Sequence, residues 1–300
     1  MGIVMSSRVV TCGRAAALLS MVVLLGACGS APTRQLSANG TGRAPAPQQP
    51  SPEPTTDSTD PSPSDPSTPV NTPTTIPRKA DSGCPAPARR YKIPGTGKKV
   101  ALTFDDGPSP TTTPQILAIL ADKGVHATFF DTGIAASKHP DLVRAEVDGG
   151  HVIGNHSWSH PQFTKLTDAA IADQINRTSQ VITQASGRPV CYVRPPYGDV
   201  NGRVNRLIAS LGYSQAMWNV DTLDWKRPGV DKIAAAAVAY PDNKMPIVLM
   251  HAGKADGYGG APADGTVSPD RTQTVAALPM IIDTLKARGY TFVQLDGSEF

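Results

Sequence analysis

The chain has 300 residues, with 28 Lys and Arg against 25 Asp and Glu, and a formal net charge of +3. Two of the positive charges, Arg8 and Arg14, belong to the extreme N-terminus, so the remainder is close to neutral. Nothing in that balance points to nucleic-acid or polybasic membrane binding, and no nucleic-acid partner is expected.

In chain order, the first element is a targeting segment over residues 1–27. Arg8 and Arg14 form a basic start, and residues 15–27 form an apolar run. About 20 apolar residues are needed to span a bilayer, so this run is too short to cross one. It ends in Leu25-Gly26-Ala27-Cys28, which resembles the lipobox of bacterial lipoproteins. That resemblance implies cleavage before Cys28, lipidation of its thiol, and attachment to the outer face of the cytoplasmic membrane through acyl chains. Residues 28–82 are a Pro/Ser/Thr-rich linker that holds 12 of the 29 prolines and has no apolar periodicity. Pro-rich chain of this length spans on the order of 100 Å or more, enough to let a domain work away from a membrane.

From residue 83 onward lies the folded domain. Strands are predicted near 98–104, 127–132, 151–155, 191–194, 213–218, 246–250 and 290–295. Helices are predicted near 114–123, 140–148, 167–186, 201–211, 230–239 and 270–288. Thr167 and Asp270 are candidate N-caps, and Gly124, Gly212 and Gly289 candidate helix ends. Strict strand–helix alternation implies parallel strands in an α/β fold. Cys12 leaves with the targeting segment and Cys28 would carry lipid. Cys84 and Cys191 are then either bridged or buried as free thiols, and an exported, oxidising setting favours the bridge.

Five short clusters each follow an apolar, β-rich run: residues 103–108 (TFDDGP), 156–160 (HSWSH), 194–198 (RPPYG), 221–225 (DTLDW) and 249–251 (LMH). In an open sheet they would be strung along one edge. In a closed barrel they would ring a single pocket, which favours a seven-stranded barrel. His156 and His160 are four apart, so on a helical turn both imidazoles face one way. With Asp106 they make three protein ligands and leave an open position, the pattern of a catalytic rather than a structural zinc. No Glu follows the first His, so this is not the zinc-peptidase helix. Asp105 and Asp106 are strand neighbours and point to opposite sides, so one can ligate while the other serves as base. His251 is placed to protonate a leaving group, and Asp224 would favour its charged form. Trp225 and Leu249 are candidates for an apolar wall. Asp221 has no assignable role.

Together the five clusters resemble the motifs of the polysaccharide deacetylase family (NodB homology domain, carbohydrate esterase family four) over roughly residues 96–297. The resemblance implies a distorted (β/α)7 barrel and metal-dependent removal of acetyl groups from sugars. It implies that Asp106, His156 and His160 hold Zn2+ or another divalent cation such as Co2+, and that Asp105 is the base. Arg194 would pair with Asp105 in a two-pronged contact, and Tyr197 would offer its backbone N–H to the developing oxyanion. With the lipid anchor, the expected substrate is cell-wall glycan, specifically N-acetyl groups of peptidoglycan, and the protein is expected to be a monomer. The alternatives are an O-acetyl (acetylxylan-type) esterase, a chitooligosaccharide deacetylase and an inert carbohydrate-binding lipoprotein. A long Gly-rich stretch, 252–269, is a candidate lid on the catalytic face.

Overall fold

The computed structural model describes residues 83–90, 92–242, 244–254 and 270–300. The targeting segment, Cys28, the Pro-rich segment and most of the candidate lid lie outside the described residues. In chain order the described elements are β1 (Arg89–Arg90), β2 (Lys99–Gly107), α1 (Thr113–Lys123), β3 (Thr128–Asp131), α2 (Gly133–Lys138), α3 (Pro140–Asp148), β4 (Val152–Asn155) and α4 (Asp168–Ser186). There follow β5 (Tyr192–Val193), α5 (Gly202–Ser210), β6 (Ser214–Ala216), β7 (Val220–Asp221), α6 (Val230–Val238), β8 (Ile247–His251), α7 (Thr272–Ala287) and β9 (Thr291–Phe292).

Every strand pair is parallel, in the order β1-β6-β5-β4-β3-β2-β8-β7. The start of β2 pairs with β9, through Lys99 with Thr291 and Val100 with Phe292. From Ala101 onward β2 pairs with β8. The sheet therefore curls into a distorted α/β barrel. It is not fully closed: among the described residues no rung joins the outer strands β1 and β7.

Alternation along β2 separates two apolar layers. Val100, Leu102 and Phe104 pack in the larger cluster, with Ile116 and Leu120 of α1 and Ile281 and Leu285 of α7. Ala101 packs inside the curl with Ile93, Phe130, Tyr192, Ala216, Ile247, Val293 and Leu295. β2 is covered on both faces, and eight of its nine residues are buried, the polar Thr103, Asp105 and Asp106 among them. Each fully buried Ile or Leu in these layers contributes about 1.5–3 kcal/mol relative to exposure.

Local signals set the helices. α1 starts with Pro114 in its first turn and ends at left-handed Gly124. Thr167 caps α4, its side chain accepting from Ala170 N at 3.2 Å. The cap of α7 is Arg271 rather than Asp270, whose Oδ1 instead accepts from Thr272 N at 2.8 Å. α2, β1 and β7 were not anticipated. They are two to six residues long, too short to show a period.

Cys84 is joined to Cys191, with Cα atoms 5.4 Å apart and a sequence separation of 107. The bridge ties the chain just before β1 to the residue preceding β5. Because the strands are parallel, their C-terminal ends share one rim, and four of them (β2, β4, β5 and β8) deliver chemistry there.

Candidate active site

At the end of β2, Asp105 pairs with Phe130 of β3, but it is Gly107 that pairs with Asp131. Asp106 is bulged out of register, with φ 67°. This overturns the expectation that the two aspartates face opposite sides. The left-handed bulge cancels strand alternation, and both carboxylates meet the same imidazole. His156 Nε2 lies 3.5 Å from Asp105 Oδ2 and 3.6 Å from Asp106 Oδ1. The segment after β8 holds the bulge in place. Ala252 N donates to Asp105 O at 2.8 Å, and Thr112 Oγ1 donates to Ala252 O. A Cβ on Gly253 would stand 2.4 Å from Asp106 O, so only glycine allows this approach.

His156 and His160 lie on a loop after β4, not on a helical turn. Ser157 (φ 69°) and His160 (φ 61°) are left-handed, which no helix permits. Side chains hold the loop instead. Asn155 Oδ1 accepts from Ser157 N (2.8 Å), Ser157 Oγ from His160 N (3.0 Å), and Gln174 Oε1 from Trp158 N and Ser159 N (both 2.9 Å). Asn155 is itself pinned, donating to Ile175 O at 2.7 Å and Ser179 Oγ at 2.9 Å. Neither Asn155 nor Gln174 was singled out from sequence.

Asp106 Oδ1, His156 Nε2 and His160 Nε2 are mutually within 4.8 Å and can hold a metal ion. Asp106 Oδ1 is buried without a hydrogen-bond partner, 3.4 Å from His160 Nε2. His156 Nδ1 lies 2.7 Å from Arg194 O, a contact that assigns its proton to Nδ1 and turns the Nε2 lone pair toward Asp106. Burial lowers the pKa of both imidazoles, His160 to about 4, so both are neutral and ready to ligate near pH 7. Burial raises that of Asp106, and the neighbouring Asp105 charge adds to it. One buried carboxylate oxygen facing two neutral imidazole nitrogens fits a divalent cation.

Arg194, fully buried after β5, does not grip Asp105 with two prongs. One nitrogen, Nη1, donates both to Asp105 Oδ1 (2.7 Å) and to Thr103 Oγ1 (2.8 Å). The other donors go to Ala216 O (3.4 Å) and Met217 O (3.2 Å). The carbonyls after β6 take the rest of the fork, so it is oriented by the barrel wall rather than by the carboxylate alone. The guanidinium carbon sits over the Phe130 ring, 4.1 Å from its centre. Pro195 and Pro196 follow, then Tyr197 at φ 60°, half exposed, its ring 4.5 Å from that of His160.

On the neighbouring strand β8, His251 Nδ1 lies 2.7 Å from Asp224 Oδ1. Asp224 Oδ2 accepts from His251 N (2.8 Å) and Thr274 Oγ1 (2.7 Å). Burial alone would lower the His251 pKa. The Asp224 charge and hydrogen bond outweigh it, with Asp106 and Asp105 adding, and carry it up to about 9. Asp224 is lowered in turn: burial works against its charge, but His251, Arg271 and the Thr274 hydroxyl prevail. Leu249 is buried and Trp225 half-buried beside Asp224. Asp221 makes a local turn, its Oδ1 accepting from Leu223 N at 2.8 Å. Thr274 and Arg271 were also missed from sequence, because nothing local distinguishes them from ordinary residues opening a helix.

The sequence pattern described as polysaccharide deacetylase matches residues 92–216. A chitooligosaccharide deacetylase of Bradyrhizobium sp. (strain ANU 289) is 36% identical over 203 residues, 67% of this chain and 91% of that one. The chain belongs to the polysaccharide deacetylase family. A peptidoglycan-N-acetylglucosamine deacetylase of Listeria monocytogenes is 36% identical over 201 residues, which is 67% of this chain but 39% of that longer protein. Among solved structures, a family 4 carbohydrate esterase from Streptomyces lividans in complex with acetate superposes with TM-score 0.57 at 34% identity, covering 67% of this chain and 94% of that one. The polysaccharide deacetylase match ends at Ala216, before β7, so it covers the aspartates, both imidazoles and Arg194 but not the Asp224–His251 pair. What joins that pair to the rest is the register of β8 on β2, which sets His251 beside Asp105.

Proposed function

We propose that the protein removes N-acetyl groups from cell-wall glycan, most specifically peptidoglycan, with a divalent cation, zinc or cobalt, held by Asp106, His156 and His160. When bound, the cation would act as a Lewis acid toward the acetyl carbonyl and the attacking water. Asp105, with one oxygen tied to Arg194 and the other toward His156, takes the proton from that water as its oxygen bonds to the acetyl carbon. The Tyr197 N–H faces the oxygen on which negative charge develops. His251, held charged by Asp224, gives its proton to the departing nitrogen as the C–N bond breaks, leaving acetate and a free amine. Trp225 and Leu249 line the side on which the methyl group packs.

The observation that carries this reading is the separate bracing of base and acid. Asp105 is tied to Arg194 and His251 to Asp224, on adjacent strands beside a three-residue candidate cation site. An inert carbohydrate-binding barrel needs neither pair. The reading of a lipid-anchored exported enzyme rests on the residues from Leu25 to Cys28 and on the Pro-rich segment after them. A chitooligosaccharide remains the second candidate substrate, favoured by the similarity to the Bradyrhizobium protein. The deciding assay is acetate release from purified peptidoglycan, chitotetraose and acetylxylan, with and without chelator. Release from peptidoglycan that chelator stops and zinc restores supports the proposal. Release from acetylxylan alone would replace it with an esterase.

A further inference from the structure

The acid side of the site hangs on a turn that does not support itself. Asp224 opens the short turn Asp224–Lys226, and the residues flanking it, Leu223 (φ 54°) and Arg227 (φ 53°), are both left-handed. Neither is glycine, so each holds a backbone conformation that its own side chain disfavours and that its surroundings must impose. Asp221 grips the turn from the preceding strand, its Oδ1 accepting from Leu223 N at 2.8 Å. Three further ties come from the residues that open α7. Gln273 Oε1 accepts from Gly229 N at 2.9 Å, Asp270 Oδ2 lies 2.9 Å from Arg227 Nη2, and Thr274 Oγ1 donates to Asp224 Oδ2 at 2.7 Å.

Only the last of these touches the reacting groups. Thr274 and Asp224 are each 1% exposed, so water cannot stand in for the hydroxyl. A threonine in a helix can turn its hydroxyl back onto a carbonyl of the preceding turn. Thr274 instead commits it to a carboxylate 50 residues away in sequence. Asp224 Oδ2 thereby receives two donors from two elements, Thr274 Oγ1 of α7 and His251 N of β8. With Oδ2 fixed by both, the carboxylate has no freedom to rotate, and its Oδ1 is held where it meets His251 Nδ1 at 2.7 Å. The same hydroxyl stabilises the buried charge: together with His251 and Arg271 it keeps Asp224 ionised against burial.

We propose that Thr274 is a positioning residue for the general acid. Acting through Asp224, it sets the orientation in which the His251 imidazolium is held for proton transfer. The inference rests on the function proposed above and deepens it, since the acid machinery then includes α7 as well as the Asp224–His251 pair.

The test begins with Thr274→Val, which keeps the side-chain shape and removes the donor. On whichever of peptidoglycan and chitotetraose releases acetate, kcat should fall about three- to thirtyfold while KM stays within about twofold. Zinc content, measured on the purified protein, should match wild type. Thr274→Ser keeps the hydroxyl and should recover most of kcat. In a His251→Ala background, Thr274→Val should have no further effect, because no acid is left to position. An unchanged kcat in Thr274→Val, a serine variant as slow as the valine one, or an equal loss in the His251→Ala background would overturn the role. If the valine variant melts below the assay temperature, Thr274→Ser and Thr274→Ala, which differ by one hydroxyl, take its place, and equal kcat in that pair would overturn the role as well. A wild type that released acetate from neither substrate would overturn the proposed function together with this inference.

Discussion

The protonation state of His251 follows from two opposed effects, burial and the Asp224 carboxylate. Asp224 wins, so the imidazolium persists until pH rises through about 9. Because the folded pKa lies above the ordinary 6.5, the pair stabilises the fold fully below pH 6.5 and loses that contribution between there and about 9. Asp224→Asn removes the largest raising influence. Burial then dominates, and the alkaline limb of the kcat profile should move down by about one unit or more. A limb left in place would show that another group titrates there. His251→Ala should lower kcat about 10²–10⁴-fold, read from initial rates. Asp105→Asn should abolish nearly all turnover while zinc content, measured on the purified protein, stays near one per chain, since Asp105 is not among the three atoms that converge. Loss of zinc in that variant would exchange the roles of the two aspartates.

At the scale of elements, α2 shows how packing controls the site. A Cβ on Gly133 would stand 2.3 Å from Trp158 Cε3 and 2.5 Å from Thr178 Oγ1. Trp158 sits in the loop that carries both ligand imidazoles. Gly133→Ala should therefore cost about 1–3 kcal/mol of stability and weaken zinc binding together, checked by thermal melts and a zinc titration. Normal zinc affinity in a destabilised variant would mean that the loop is held independently of α2. The long elements were legible in sequence: β2 is an apolar, β-rich run, and α4 presents Ile171, Ile175 and Ile182 on one face. The convergence of Asp106, His156 and His160 was legible because residue types and their order carry it. Their geometry was not. The bulge at Asp106, the left-handed residues at Ser157 and His160, and the distribution of Arg194's donors all depend on strands and loops distant in sequence. Local spacing suggested a helical turn, and the family resemblance a two-pronged pair, where tertiary contacts made neither.

For the whole molecule, the Cys84–Cys191 bridge closes a long stretch of chain between two parallel strands of one sheet. Replacing both cysteines with serine should lower stability by about 2–4 kcal/mol and leave kcat near wild type, because Cys191 lies at the end of β5 remote from the catalytic rim. Calorimetry and acetate release on the same preparation check both halves of that expectation, and a matching loss of kcat would show that the bridge also shapes the rim. The position of the bridge has a mechanical side as well. Any pull on the chain from upstream of residue 83 reaches the covalent link at Cys84 before it reaches β1. That strand is held to β6 over only two residues, Arg89 and Arg90. Tension is thus handed directly to the deeper β5, and the weak outer strand is shielded from being peeled away, so the fold can bear a load at its leading end that its hydrogen bonds alone would not.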